Sequence, residues 1–188
     1  TCGTPSSGLP AKKTTASNQP FTTTSNSLHI MGLDMYLYAE KYVSGYDNTN
    51  SAKISAGVKK LARQAGLRTS DLKFSGFGSA VIRITVGYWR KANAIHNWFV
   101  QNVQDGEDNC RPYYVDTEKL KELRDECQAA LADKDNTDIL PPTAGFFFGS
   151  TERDEYYYDD LKTTIEIIDN ILNNDRFKGL EIYYRASW

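Results

Sequence analysis

Ala80-Val81-Ile82-Arg83-Ile84-Thr85-Val86-Gly87-Tyr88-Trp89-Arg90-Lys91-Ala92-Asn93-Ala94-Ile95-His96-Asn97-Trp98-Phe99 is the stretch in which the hydrophobic period of the chain changes. Up to Tyr88 the residues are mostly β-branched or aromatic. Ile82, Ile84, Val86 and Tyr88 alternate there with Val81, Arg83, Thr85 and Gly87. The alternation predicts a strand over Ala80–Tyr88 with one fully apolar face. From about Lys91 to Val103 the period lengthens, and Ala92, Ile95, Phe99 and Val103 recur at the spacing of a helix with one buried stripe.

The same two periods recur on either side. Upstream, Met35–Val43 reads as a strand, Ser44–Ser51 as a loop, and Ala52–Ala65 as a helix with Ile54, Val58, Leu61, Ala62 and Ala65 on one side. Gly66 ends it, and Leu67–Ser79 is a loop with a turn at Gly76–Gly78. Downstream, Asp105–Asn109 is an acidic loop and Tyr113–Val115 a short strand. Asp116 or Thr117 caps a helix reaching Ala132, with Leu120, Leu123, Cys127, Ala130 and Leu131 inward. Leu140–Ser150 is broken by prolines and glycines, yet carries three phenylalanines that need burial. A helix from Glu155 or Tyr158 to Asn173 and a strand over Leu180–Ala186 complete the chain. Fully apolar strands in regular βαβ repetition, the mark of a doubly wound parallel sheet, are missing. The expected fold is α+β: a small, mainly antiparallel sheet packed by about four helices, formed by residues 31–188 as one domain. Thr1–Ile30, rich in Ser, Thr, Asn and Pro, buries too little apolar surface to fold by itself and reads as an extended leader or an artificially added segment.

Composition narrows the function. Twenty-two basic against 24 acidic residues give a net charge of −2, so no general grip on nucleic acid is expected. No apolar run approaches the roughly 20 residues of a membrane helix, and the first thirty residues carry no secretory signal pattern. Cys2, Cys110 and Cys127 lack metal-ligand spacing and suggest no disulfide framework, which points to a reducing cytosol with no metal or cofactor. Twelve tyrosines suit pockets and interfaces, because the ring is apolar and its tip polar.

Candidate site residues gather at the strand-to-helix junction. Arg90, Lys91 and Asn93 fall in the predicted first helical turn, where backbone N–H groups lack partners and the helix dipole is positive. Cations there disfavour the helix unless an anion is held at its start. Spacing puts His96 on a face with Trp89 and Asn93, which together could stack a base beside a phosphate. The bland alternative makes Trp89 and Trp98 core, the cations solvated or paired internally, and His96 a satisfied histidine. In the aromatic loop, Thr143 and Ser150 offer hydroxyls and the glycines allow close approach of backbone. Asp34, Asp154, Glu155, Asp159 and Asp160 lie near aromatics, but Asp159-Asp160 at a helix start is stabilising without any function. Cys110 beside Arg111 is a weak nucleophile candidate, and Cys127 on the apolar stripe reads as core. No GxSxG, HExxH or phosphate-loop motif is present, so no catalytic residue is assigned, His96 being the acid–base candidate if the protein is an enzyme.

Three segments taken together, Met31-Gly32-Leu33-Asp34-Met35-Tyr36-Leu37, Tyr88–Val100 and Gly145-Phe146-Phe147-Phe148-Gly149-Ser150, resemble a family of small uncharacterised proteins from bacteriophages and bacterial mobile elements. The resemblance implies a host-takeover or counter-defence setting in the host bacterial cytoplasm and supplies no catalytic residue. The leading expectation is a phage-encoded accessory binding protein that engages a host protein or sequesters a nucleotide-like, small anionic ligand. A homo-oligomer is compatible with it. The alternative is a small phage enzyme acting on a nucleotide or phosphate ester. A pocket between residues 88–98 and 143–154 favours a ligand; dense packing there favours a protein partner.

Overall fold

Met35, Leu37 and Ala39 are buried, while Tyr36, Tyr38 and Glu40 between them are half-buried, so the first strand has one core face and one outer face. In this computed structural model the described residues are 32–43, 51–66, 80–145 and 148–188. The predicted leader Thr1–Ile30, the Gly76–Gly78 turn, and Phe146 and Phe147 lie outside them. The elements are β1 (Asp34–Val43), α1 (Ser51–Gln64), β2 (Ala80–Arg90), α2 (Asn93–Asn102), β3 (Tyr113–Val115), α3 (Thr117–Ala132), α4 (Glu155–Asn173), a 3-10 turn (Asp175–Phe177) and β4 (Glu181–Ser187). The four strands form one antiparallel sheet in the order β2-β1-β4-β3.

The architecture is therefore α+β with a small antiparallel sheet. Among the described residues, three helices rather than about four contribute to its core. From α2 come Ala94, Ile95, Trp98 and Phe99; from α3, Leu120, Leu123, Cys127 and Ala130; from α4, Leu161, Ile168 and Ile171. Phe99 stacks on Tyr184 of β4 with ring centres 3.8 Å apart. Leu61 of α1 is 66% exposed and Ala65 is exposed, so the predicted stripe of that helix does not join the core at these positions. No helix among the described residues is long and apolar enough to cross a membrane.

The predicted apolar face of β2 is broken by a bulge. Leu37 pairs with Gly87 but Tyr38 pairs with Thr85, which leaves Val86 without an opposite residue. The extra residue reverses the alternation. Gly87 and Trp89 face the core, whereas Tyr88 joins Thr85 and Arg83 on the outer face. Gly87 is needed at the crossing, because a Cβ there would sit 2.8 Å from Ile167 Cγ2.

Candidate functional site

The junction between β2 and α2 is one tight residue, Lys91. Its φ is 62°, and its N–H donates to Leu33 O at 2.8 Å. This left-handed step ends the strand at Arg90 and delays the helix to Asn93. Arg90 and Lys91 thus stand just ahead of the first helical turn, rather than in it as the periodicity predicted. The N-cap position falls on Ala92, which has no side-chain oxygen. The N–H groups of Ala94 and Ile95 consequently have no acceptor among the described residues. The helices α3 and α4 are capped conventionally, Asp116 accepting from Lys119 N and Asp154 from Tyr157 N.

Asn93 binds the irregular segment to this helix start. It is 5% exposed; its Nδ2 donates to Phe148 O at 3.1 Å and Ser150 O at 2.7 Å, and its Oδ1 accepts from Thr143 N at 3.1 Å. Gly149, at φ 87°, passes so close to Lys91 that a Cβ would meet Lys91 Cβ at 3.3 Å. Arg153 secures the segment from behind, donating to the carbonyls of Asn136 at 2.8 Å, Thr137 at 3.0 Å and Ile139. Tyr157 Oη adds a bond to Leu140 O at 3.0 Å.

Between this segment, the start of α2 and the first turns of α4 lies a pocket of about 350 Å³. Arg90, Lys91, Ala94, Ile95, Gly149 and Ser150 line it from one side; Glu152, Asp154, Tyr156, Tyr157 and Asp160 line it from α4 and its approach. No carboxylate lies within ion-pair distance of Arg90 or Lys91 among the described residues. Burial, then the charges of Asp154 and Asp159, push the Asp160 carboxyl up to about 6. The reading of Asp159-Asp160 as a helix-start pair without further role thus divides. Asp159 pairs with Lys162 at 2.8 Å in solvent, whereas Asp160 lines the pocket. Sequence reasoning set Asp160 aside and did not single out Glu152 or Tyr157. The available signal was spacing: Tyr157, Asp160, Leu161 and Thr164 share the stripe that α4 turns inward.

Trp89, His96 and Thr143 do not line the pocket. Trp89 belongs to the strand, so helical spacing does not relate it to His96. It is 2% exposed, and its Nε1 donates to Thr164 Oγ1 at 2.9 Å. Thr143 contributes its backbone N–H to Asn93. His96 is 1% exposed, with Nδ1 2.8 Å from Tyr184 Oη, Nε2 3.0 Å from Asp108 Oδ2, and the edge of Phe148 against its ring. Burial holds the Tyr184 phenol well above its usual range. Asp108 also accepts from Trp188 Nε1 at 3.1 Å, so this chain of bonds, buried at His96 and Tyr184 and exposed at Trp188, joins α2, the acidic loop and the end of β4. Both nitrogens of His96 are thereby engaged away from the pocket, which leaves the acid–base role considered for it without a geometry.

The remaining candidates are dispersed. Asp34 accepts from Tyr88 Oη at 2.6 Å on the outer face of the sheet. Glu155 begins α4. Cys110 is partly buried and its carbonyl accepts from Arg185 Nε at 3.1 Å, while Arg111 N–H donates to Asn109. Burial raises the Cys127 thiol far above its normal range, as fits a core residue. Among the described residues there is no group of three or more His, Cys, Asp or Glu side chains placed to hold a metal ion. Compared with known proteins, the chain matches no family model, no curated protein and no solved structure.

Proposed function

We propose that this protein is a non-enzymatic binding protein that sequesters a small nucleotide-like ligand by its anionic group in the pocket at the start of α2. The observation that carries this reading is the uncapped helix start: the Ala94 and Ile95 N–H groups have no acceptor among the described residues, and both residues line a cavity that Arg90 and Lys91 also line. An anion there would complete the helix cap and be stabilised by its dipole. The volume suits a mononucleotide-sized molecule, and Tyr156 and Tyr157 supply ring surface next to the anion end. A phage accessory role, in host takeover or counter-defence within the bacterial cytoplasm, rests on the resemblance carried by Met31–Leu37, Tyr88–Val100 and Gly145–Ser150. A cavity at this place supports a ligand over capture of a host protein by the same residues. The test is a thermal-shift screen against nucleotides and cyclic nucleotides. Stabilisation that is lost in Lys91→Ala supports the reading; no shift with any member of the panel rejects it.

One observation favours the enzyme alternative, a reaction at a phosphate ester. Asp160, its carboxyl pushed up to about 6, lines the pocket and has the poise of a general acid or base there, whereas His96 does not line it. Turnover of a nucleotide panel that disappears in Asp160→Asn would establish it; turnover unaffected by that change would remove Asp160 from the role.

A further inference from the structure

The pocket accounts for few of the twelve tyrosines. Six of the others, Tyr36, Tyr38, Tyr42, Tyr88, Tyr114 and Tyr183, stand on the face of the sheet opposite α2, α3 and α4. The strand register arranges that face in rows. Tyr88, Tyr36 and Arg185 form one row; Thr85, Tyr38, Tyr183 and Tyr114 the next; Arg83, Glu40 and Glu181 the third; Val81 and Tyr42 close it. Arg90, Asp34 and Ser187 form the opposite border. Tyr36 stacks on Tyr38 at 5.7 Å, Tyr114 meets Tyr183 edge-on at 5.9 Å, and the Arg83 guanidinium lies over Tyr38 at 4.9 Å. Tyr42, Val81, Tyr88 and Tyr114 are each about half exposed or more, at 59%, 56%, 47% and 57%. Aromatic rings placed in this way bury nothing of the core. Aromatics and arginine are the residues in which interface centres are enriched.

We infer that this tyrosine face is the contact between two copies of the chain, packed sheet against sheet about a two-fold axis. The charges select the partner. Arg90, Arg185 and Asp34 give one end of the face a net charge of +1, and Arg83, Glu40 and Glu181 give the other end −1. A two-fold axis lying in the contact plane and running across the strands sets each end against its opposite, placing Arg185 of one copy near the glutamates of its partner. The face as a whole is neutral, which fits a protein surface and lacks the excess of cations that holds a phosphate backbone. Strand spacing and rise make it roughly 20 by 30 Å. Two such faces bury about 1,200 Å², the lower end of a specific interface.

The test is sedimentation velocity on the full chain across a hundredfold range of concentration, with circular dichroism to confirm that each variant is folded. The expected result is a reversible dimer that becomes a monomer in Tyr38→Ala and in Arg185→Glu, and is restored when Arg185→Glu is combined with Glu181→Arg. Three results would overturn the inference: a wild-type chain that is monomeric throughout; a dimer that survives Tyr38→Ala and is lost in Ile84→Lys, which would put the contact at the β2 edge; or a monomer whose Tyr38 is needed to bind a labelled single-stranded oligonucleotide. None of the substituted residues lines the pocket, so this outcome is independent of the ligand test.

Discussion

Replacing Asn93 by alanine removes the clasp between α2 and the segment that walls the pocket. Three hydrogen bonds disappear, two donated to carbonyls of Phe148 and Ser150 and one accepted from Thr143 N. Ser150 is exposed, so water can replace the donor its carbonyl loses. Phe148 and Thr143 are half-buried and recover less. With a net worth of about 1 kcal/mol per bond and partial hydration of one partner, the loss amounts to about 2 kcal/mol. For a domain of this size that corresponds to a fall in Tm of roughly 4–8 °C. Urea unfolding followed by tryptophan fluorescence measures it directly, and an unchanged slope would show that the native state remains compact. Because Gly149 and Ser150 line the pocket, the variant should also lose ligand-induced stabilisation, more than a loss of overall stability explains. Asn93→Asp separates the bonds: it keeps the acceptor for Thr143 N and sets a carboxylate against two carbonyls, so it should be at least as unstable. A loss below about 0.5 kcal/mol in Asn93→Ala, the range of ordinary surface substitutions, would refute the clasp.

Three further outcomes follow from the same geometry. Asp160 holds a raised carboxyl, so the folded state binds its proton more tightly than the unfolded state, and stability falls as pH rises from about 4 to about 6. Asp160→Asn should remove that slope and gain roughly 1 kcal/mol at pH 7, after allowance for the residue's partial exposure; equal pH profiles for variant and wild type in urea unfolding would contradict this. His96→Ala should cost about 3 kcal/mol, because it leaves a cavity and deprives Tyr184 and Asp108 of their partner; chemical unfolding reads this, and a near-neutral change would mean that the buried chain of bonds contributes nothing. Cys127, fully buried with a raised thiol, should resist alkylation in the native protein and react on unfolding; peptide mass spectrometry checks it, and rapid native labelling would show that the α3 core opens.

The elements were legible because their signals are local. Alternation in β1 and the three-to-four spacing of α2, α3 and α4 are properties of neighbours in the chain, and the helices end within a residue or two of where capping and glycine place them. What escaped depends on single residues or distant partners. The bulge at Val86 reverses the faces of β2, yet nothing in Ile84-Thr85-Val86-Gly87 distinguishes it from a regular strand apart from the glycine. Lys91 takes a left-handed conformation that its residue type does not advertise, which shifted the helix start and with it the positions of Arg90 and Lys91. The partners of His96 lie 12 and 88 residues away, so its burial could not be read from its own helix. Arg90, Lys91, Asn93 and Ser150 line one pocket; its acidic wall comes from α4 and its approach, where Asp160 resembled an ordinary helix-start carboxylate. The tyrosine face was visible only as an excess of tyrosine, since its rows depend on cross-strand register.

The most direct test of the account is a titration of the ¹⁵N-labelled protein with a nucleoside monophosphate, followed at the backbone amides of Ala94 and Ile95. If the uncapped start of α2 holds the anion, these two resonances move downfield in a saturable way, ahead of amides elsewhere in the helix, and the shifts vanish in Lys91→Ala. Stationary Ala94 and Ile95 resonances at saturating ligand, or shifts centred on another part of the chain, would contradict it.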